Sequence, residues 1–151
     1  MKSRLLLPFL FLMVIACPVF GAGGDGILGL WITPDGDCKI EIFCCGDKYC
    51  GRIAELKDPN YPADDEGGMA GKPKIDRENR NPALRSRPLV GLQLMEGLTY
   101  VGKNVWEKGT IYNPDDGRNY KCKLTLSAPD RLEVRGYIGI PLLGGTSIWT
   151  R

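Results

Sequence analysis

Beyond residue 28 the chain is written as short β-forming runs cut by turn chemistry. No stretch there carries the 3.6-residue apolar period of a helix. Runs that suit strands lie at 28–33, 37–44, 49–56, 89–95, 99–106, 109–113, 118–127, 131–138 and 145–151. In KIEIF, Ile40, Ile42 and Phe43 nearly alternate with Lys39 and Glu41, the period-two pattern of a strand with one buried face. The turns PDG at 34–36, GD at 46–47, NPDDG at 113–117 and APD at 128–130 separate most of the runs. The rhythm predicts an all-β fold: one antiparallel meander of about eight or nine strands closed into a small barrel, because closure removes exposed sheet edges. One long loop, 57–88, interrupts it, with four prolines between 57 and 82 and little apolar content. Loops of that length in compact domains are usually functional or mobile. Within it, ALRSR at 83–87 suits a helical turn that Pro88 closes.

The N-terminal segment differs. Lys2 and Arg4 precede an uncharged run of 12 residues, Leu5 to Ala16. That is too short to span a bilayer, which takes roughly 20 residues. A basic start, a short apolar centre and small residues beyond it read as a secretory signal over 1–22, leaving 23–151 as the mature domain. The residues VIAC also fit a bacterial lipoprotein processing site, in which Cys17 carries the lipid; such an anchor tethers the chain without spanning the membrane. About 129 residues remain, enough for one domain with its own core.

Losing Lys2 and Arg4 leaves 18 basic residues against 18 Asp+Glu. A near-neutral chain argues against a nucleic-acid partner, which needs a concentrated basic surface. The sequence contains no histidine. That removes the usual general base near neutral pH and the commonest metal ligand. Ser-His-Asp and Cys-His arrangements cannot be built, nor can zinc sites that use His. No metal site and no cofactor are expected, and an enzyme would have to work with carboxylates, Tyr, Lys or Arg.

Several groups of residues bear on function, and each has a plain structural reading beside it. Asp64 to Glu66, and Asp115 with Asp116, lack the spacing of a calcium loop and suit solvated turns. Glu107 or Asp76 could serve as a general acid if buried beside a second carboxylate. Arg85 and Arg87 could clamp an anion, or instead pin the long loop. Trp31, Tyr100, Trp106, Tyr112, Tyr120, Tyr137 and Trp149 could fill a barrel or line its mouth. Of these, Trp31, Tyr100, Trp106, Tyr112 and Tyr120, with Arg85 and Arg87, are the ligand-pocket candidates.

In FCCGDKYCGR, three cysteines, Cys44, Cys45 and Cys50, could form a metal site, a reactive thiol or a staple. Export to an oxidising compartment favours the staple. Adjacent cysteines on a strand point to opposite faces, which suits one tetrahedral ion poorly. A reactive thiol lacks a histidine to lower its pKa.

The stretches GLW at 29–31, CGDKYCGRI at 45–53, NPALRSRPLVGL at 81–92, GTIYNPDDGRNYKCKLTL at 109–126, RGYIGIPLLGG at 135–145 and the ending WTR resemble a bacterial family, domain of unknown function 2147. The resemblance implies a small secreted protein with a lipocalin-like (calycin) barrel, and it carries no settled activity. GLW near the start and Arg151 at the end also look like a broader calycin feature. There the last-strand arginine covers the first-strand indole, so the resemblance implies that Trp31 and Arg151 close the barrel by a cation–π contact. It implies as well that Cys45 and Cys50, flanking GDKY, form a disulfide. Many relatives carry a second cysteine pair near the positions of Tyr137 to Leu143, where this chain has YIGIPLL. Cys44 is then left to pair with Cys38 or Cys122 or to stay free.

By fold analogy the expected function is an exported envelope protein, periplasmic, outer-membrane associated or secreted, whose barrel binds a small apolar or amphipathic ligand. The alternative is a non-catalytic interaction protein of the envelope with a filled barrel. A carboxylate- or arginine-based enzyme is the second alternative. The oligomeric state is not readable from the sequence.

Overall fold

The computed structural model describes residues 23–151; the signal segment expected over 1–22 and Cys17 lie outside them. Eight antiparallel strands, β1 (Gly29–Ile32), β2 (Cys38–Cys45), β3 (Lys48–Leu56), β4 (Gln93–Gly102), β5 (Val105–Asn113), β6 (Arg118–Ala128), β7 (Arg131–Tyr137) and β8 (Gly145–Thr150), form a closed barrel in chain order. The seam between β1 and β8 is joined at Ile32 opposite Thr150.

Where nine runs are predicted there are eight strands, because 89–113 holds two strands instead of three. Lys103 and Asn104 take positive φ (52° and 58°), a two-residue turn joining β4 to β5 inside the predicted run 99–106. The predicted breaks at Gly97 and Lys108 (φ 71° and 66°) are instead bulges, where the register shifts and the strand continues. The loop therefore runs to Leu92. The expected helical turn is a short 3-10 turn, Pro82–Leu84, with Asn81 accepting from Ala83 N–H at its start.

The strands divide the loops between two ends. At one end lie the β2–β3, β4–β5 and β6–β7 turns, with the chain before β1 folded over them as a plug. There a 3-10 turn, Asp25–Ile27, buries Ile27 completely. The Trp31 indole N–H donates to Ile27 O (2.8 Å), and the Tyr49 hydroxyl donates to Asp25 Oδ1 (3.0 Å). Bulky side chains fill the barrel below the plug: Trp31, Ile42, Met95, Leu98, Trp106, Leu124 and Leu132 are all buried. Trp106 meets the Tyr49 ring edge-on at 6.3 Å and the Tyr100 ring at 5.0 Å.

The loop 57–92 is tied down rather than loose. Ile75 bridges to Pro88, and Tyr61 is buried with its hydroxyl donating to Ile75 O (3.1 Å). The completely buried Asp76 accepts from the Tyr112 hydroxyl (2.6 Å), Arg87 Nε (2.8 Å) and Asn79 Nδ2 (2.8 Å). Its charge is thus paired and hydrogen-bonded, the condition for burying a carboxylate.

Candidate functional site

The opposite end of the barrel is hollow. A cavity of about 820 Å³ opens between the β1–β2 turn, the 57–92 loop, the β5–β6 turn and the β7–β8 connection. Its walls are Cys38, Ile40, Ile53, Leu56, Leu94, Ile111, Val134 and Trp149, with Tyr112 and Tyr120 toward the mouth. The space exists because β7 and β8 contribute small residues here. Gly136 stands opposite Gly145, and Val134 stands opposite Ser147. A β-carbon added at Gly136 would meet nothing nearer than 3.7 Å, and one at Gly145 nothing within 4 Å. The same alternation that packs bulky side chains inward at the plugged end leaves glycines inward on β7 and β8 at this one.

The charged groups of the rim are mostly acidic: Asp35, Asp37, Asp58 and Asp115, with Lys74 among them. Asp37 faces Lys57 at 3.7 Å. The Tyr120 hydroxyl donates to Asp116, which keeps that phenol above its ordinary pKa. Burial first, then the hydrogen bond to Asp76, does the same for Tyr112. Cys38 at the cavity wall has its thiol pushed up to about 11, by burial and then by Asp37, so it is a poor nucleophile near neutral pH.

The pocket candidates separate by height along the barrel. Tyr112 and Tyr120 line the cavity. Trp31, Tyr100 and Trp106 do not: they pack at the plugged end, and this corrects their assignment to a pocket. Period-two patterning tells which residues face inward but not at which end of the barrel they sit. Arg85 and Arg87 also lie outside the cavity. Arg85 Nε donates to Asn79 O (2.7 Å) and Arg87 holds Asp76, so both pin the long loop. Arg87 does border a second cleft beside β4–β6, together with Arg80 and Arg118, which shares Leu94 and Tyr112 with the cavity. The cavity residues missed in the sequence, Ile40, Ile53, Leu56, Ile111 and Val134, were legible only as members of apolar strand faces.

The candidate acids are paired with cations. Glu107 pairs with Lys123 (3.0 Å), Asp65 with Arg77 (2.7 Å), and Asp76 with Arg87 (2.8 Å). Among the described residues no group of three or more Cys, Asp or Glu is placed to hold a metal. Cys45 and Cys50 form a disulfide across the β2–β3 turn. Among the described residues Cys38, Cys44 and Cys122 are free: partly buried at the cavity, exposed, and buried in the barrel, respectively. Arg151 lies 4.4 Å over the Trp31 ring and donates to Pro129 O (2.8 Å), Gly26 O (3.0 Å) and Leu28 O (3.1 Å), stitching the plug to the last strand.

No curated protein matches the chain. A solved Helicobacter pylori protein, HP1028, which belongs to the lipocalin family, shares the fold with a TM-score of 0.69 and 25% identity, over 83% of this chain and 82% of that one. The family model described as "Uncharacterized protein conserved in bacteria (DUF2147)" matches residues 29–151, which takes in all eight strands. The chain therefore belongs to that bacterial family, and its fold is a lipocalin-like barrel.

Proposed function

We propose that this protein is an exported carrier that holds a small apolar or amphipathic ligand in the open end of its barrel. The observation that carries the reading is the 820 Å³ cavity walled by aliphatic and aromatic side chains. Its volume lies within the ~300–1,000 Å³ of small-molecule sites. The acidic rim sets a limit on the ligand: its polar end is neutral or cationic, because a carboxylate would sit among Asp35, Asp58 and Asp115. The signal segment expected over 1–22 supports a periplasmic or outer-membrane setting, with or without a lipid on Cys17.

The neutral fluorophore N-phenyl-1-naphthylamine tests this. The protein should take it up with enhanced emission. Gly136→Leu, which places its side chain in the cavity, should weaken uptake at least ~10-fold, the equivalent of losing one buried apolar group. Equal uptake by the variant, or no uptake by the parent, would sink the carrier reading. Native mass spectrometry of protein purified from its own envelope would then identify the occupant.

A further inference from the structure

Nine of the described residues are arginines, and six of these donate to a carboxylate or a backbone carbonyl: Arg52, Arg77, Arg85, Arg87, Arg135 and Arg151. Among the described residues Arg80, Arg118 and Arg131 have no such partner. One exposed arginine without a partner is ordinary, but two of these three line the same cleft. The cleft holds about 740 Å³ between the 57–92 loop and β4–β6. Its charged lining is Arg80, Arg87 and Arg118 against Glu96 alone. Arg87 is matched by the buried Asp76 (2.8 Å), so the open cations are Arg80 and Arg118.

The fold brings these two together. Gly117 is buried at a φ of 66°, and a β-carbon there would overlap Glu78 O and stand 3.3 Å from Arg80 N. Glycine before Arg118 therefore lets the backbone of 78–80 lie against the β5–β6 turn. The segment that carries Arg80 is fixed from its other side by the buried Asn79. Asn79 Nδ2 donates to Asp76 (2.8 Å) and to the Tyr112 hydroxyl (2.9 Å), its Oδ1 accepts from Asn81 N–H (2.8 Å), and its carbonyl accepts from Arg85 Nε (2.7 Å). Arg118 is rooted in the β5–β6 ladder opposite Asn113. The neighbouring acid, Asp116, accepts from the Tyr120 hydroxyl and from Arg118 N–H. Its carboxyl is held below its ordinary pKa by that hydroxyl first, and also by the charges of Arg118 and Arg80. One carboxylate thus feels both guanidiniums, which stand around a common point.

We infer that this cleft binds a small multivalent oxyanion, a phosphate or a polycarboxylate, gripped by Arg80 and Arg118. A guanidinium presents its N–H donors in a planar fork that matches two oxygens of such a group, and charge-assisted hydrogen bonds are the strong ones. Both arginines rise from backbone that is already held in place, so little order is lost on binding. Asn81 and Asn119 line the cleft too and add neutral donors; Asn81 spends its Oδ1 on Ala83 N–H, which leaves its amide nitrogen as a donor. The anion clamp that Arg85 and Arg87 could form thus falls to a different pair. It is independent of the carrier reading, whose cavity takes a neutral or cationic ligand.

The test is calorimetric titration of the protein with inorganic phosphate and with citrate, each against sodium chloride at equal ionic strength. At least one should bind with a Kd below ~1 mM in ~0.15 M salt, where longer-range attraction between exposed charges is screened. The tighter of the two names the oxyanion as tetrahedral or carboxylate, and either supports the proposal. No binding of either beyond chloride overturns it. Arg80→Gln/Arg118→Gln should weaken binding at least ~10-fold, since it removes the charge-assisted contacts. Neither side chain holds the fold together, so the urea midpoint and naphthylamine uptake should stay at the parent's values. Lys103→Gln/Arg131→Gln removes the same charge at the plugged end and should leave binding unchanged. Undiminished binding by the Arg80/Arg118 variant overturns the proposal. An equal loss in both double variants overturns it in favour of unspecific attraction to net charge.

Discussion

Arg151 holds the barrel's closure, and removing it should cost more than an exposed arginine usually does. β1 and β8 meet at one register pair, so backbone ladder bonds alone join the ends of the sheet weakly. The guanidinium spans the gap: it donates to carbonyls on both sides, Gly26 and Leu28 before β1 and Pro129 in the β6–β7 turn, and covers the Trp31 ring. Three partly hydrated hydrogen bonds at ~0.5–1 kcal/mol each and one cation–π contact at ~0.5–1 kcal/mol give about 2–4 kcal/mol for Arg151→Ala. A domain of this size loses roughly 4 °C of Tm per kcal/mol, hence about 8–16 °C. Urea unfolding should show the lowered midpoint at an unchanged m-value. Acrylamide should quench more tryptophan emission as the plug loosens over Trp31. Arg151→Lys keeps the charge but not the planar fork, and should recover less than half of the loss. A loss below ~1 kcal/mol for Arg151→Ala, or full recovery with lysine, would refute the reasoning; the plug's apolar burial would then close the barrel unaided.

Three further perturbations test the scaffold. Cys45→Ala/Cys50→Ala opens a loop spanning a sequence separation of 5. The loop-closure relation gives about 2 kcal/mol for so short a loop, read as a fall in urea midpoint against the parent, with no loss of β-sheet circular dichroism. Asp76→Ala leaves Arg87 half-buried without its carboxylate and should cost ~3–5 kcal/mol, with limited proteolysis cutting first within 57–92. Burial pushes the Cys122 thiol up from 9.0 to about 12. A raised pKa in the folded state means that the fold favours the thiol. Its contribution is full below pH 9 and fades as pH rises toward 12, so wild-type stability should fall across that window and Cys122→Ala should fall less steeply in urea titrations.

The architecture was legible in the sequence, and the division of labour between the barrel's ends was not. Alternation in KIEIF and YKCKLTL states which side chains face inward, and closure follows from the need to cover edges. Yet Trp106 and Tyr112 both lie on β5 and both read as pocket aromatics, and they finish in different places. Trp106 lies under the plug with Tyr100, while Tyr112 hangs at the mouth on Asp76. What places them is strand register, set by bulges at Gly97 and Lys108, and a residue in the left-handed region such as Lys108 gives no clear signal in one sequence. For Arg85 and Arg87 the loop-pinning reading holds and the pocket reading does not, for a related reason. Their partners, Asn79 and Asp76, sit in a loop whose composition suggests mobility, and a single buried carboxylate orders it.

The hollow end matters for function because filling it would have been easy. Gly136 and Gly145 face each other across a ladder pair with room for side chains at both, and neither sits where φ between +20° and +160° demands glycine. Larger apolar residues there would bury more surface and gain stability at ~25 cal/mol per Å². Glycine inside a strand, by contrast, weakens it. A barrel serving only as a scaffold has no physical use for that arrangement. A barrel that must admit an apolar guest does, since the guest then supplies the missing contacts and returns the stability on binding, by RT ln(1 + [L]/Kd).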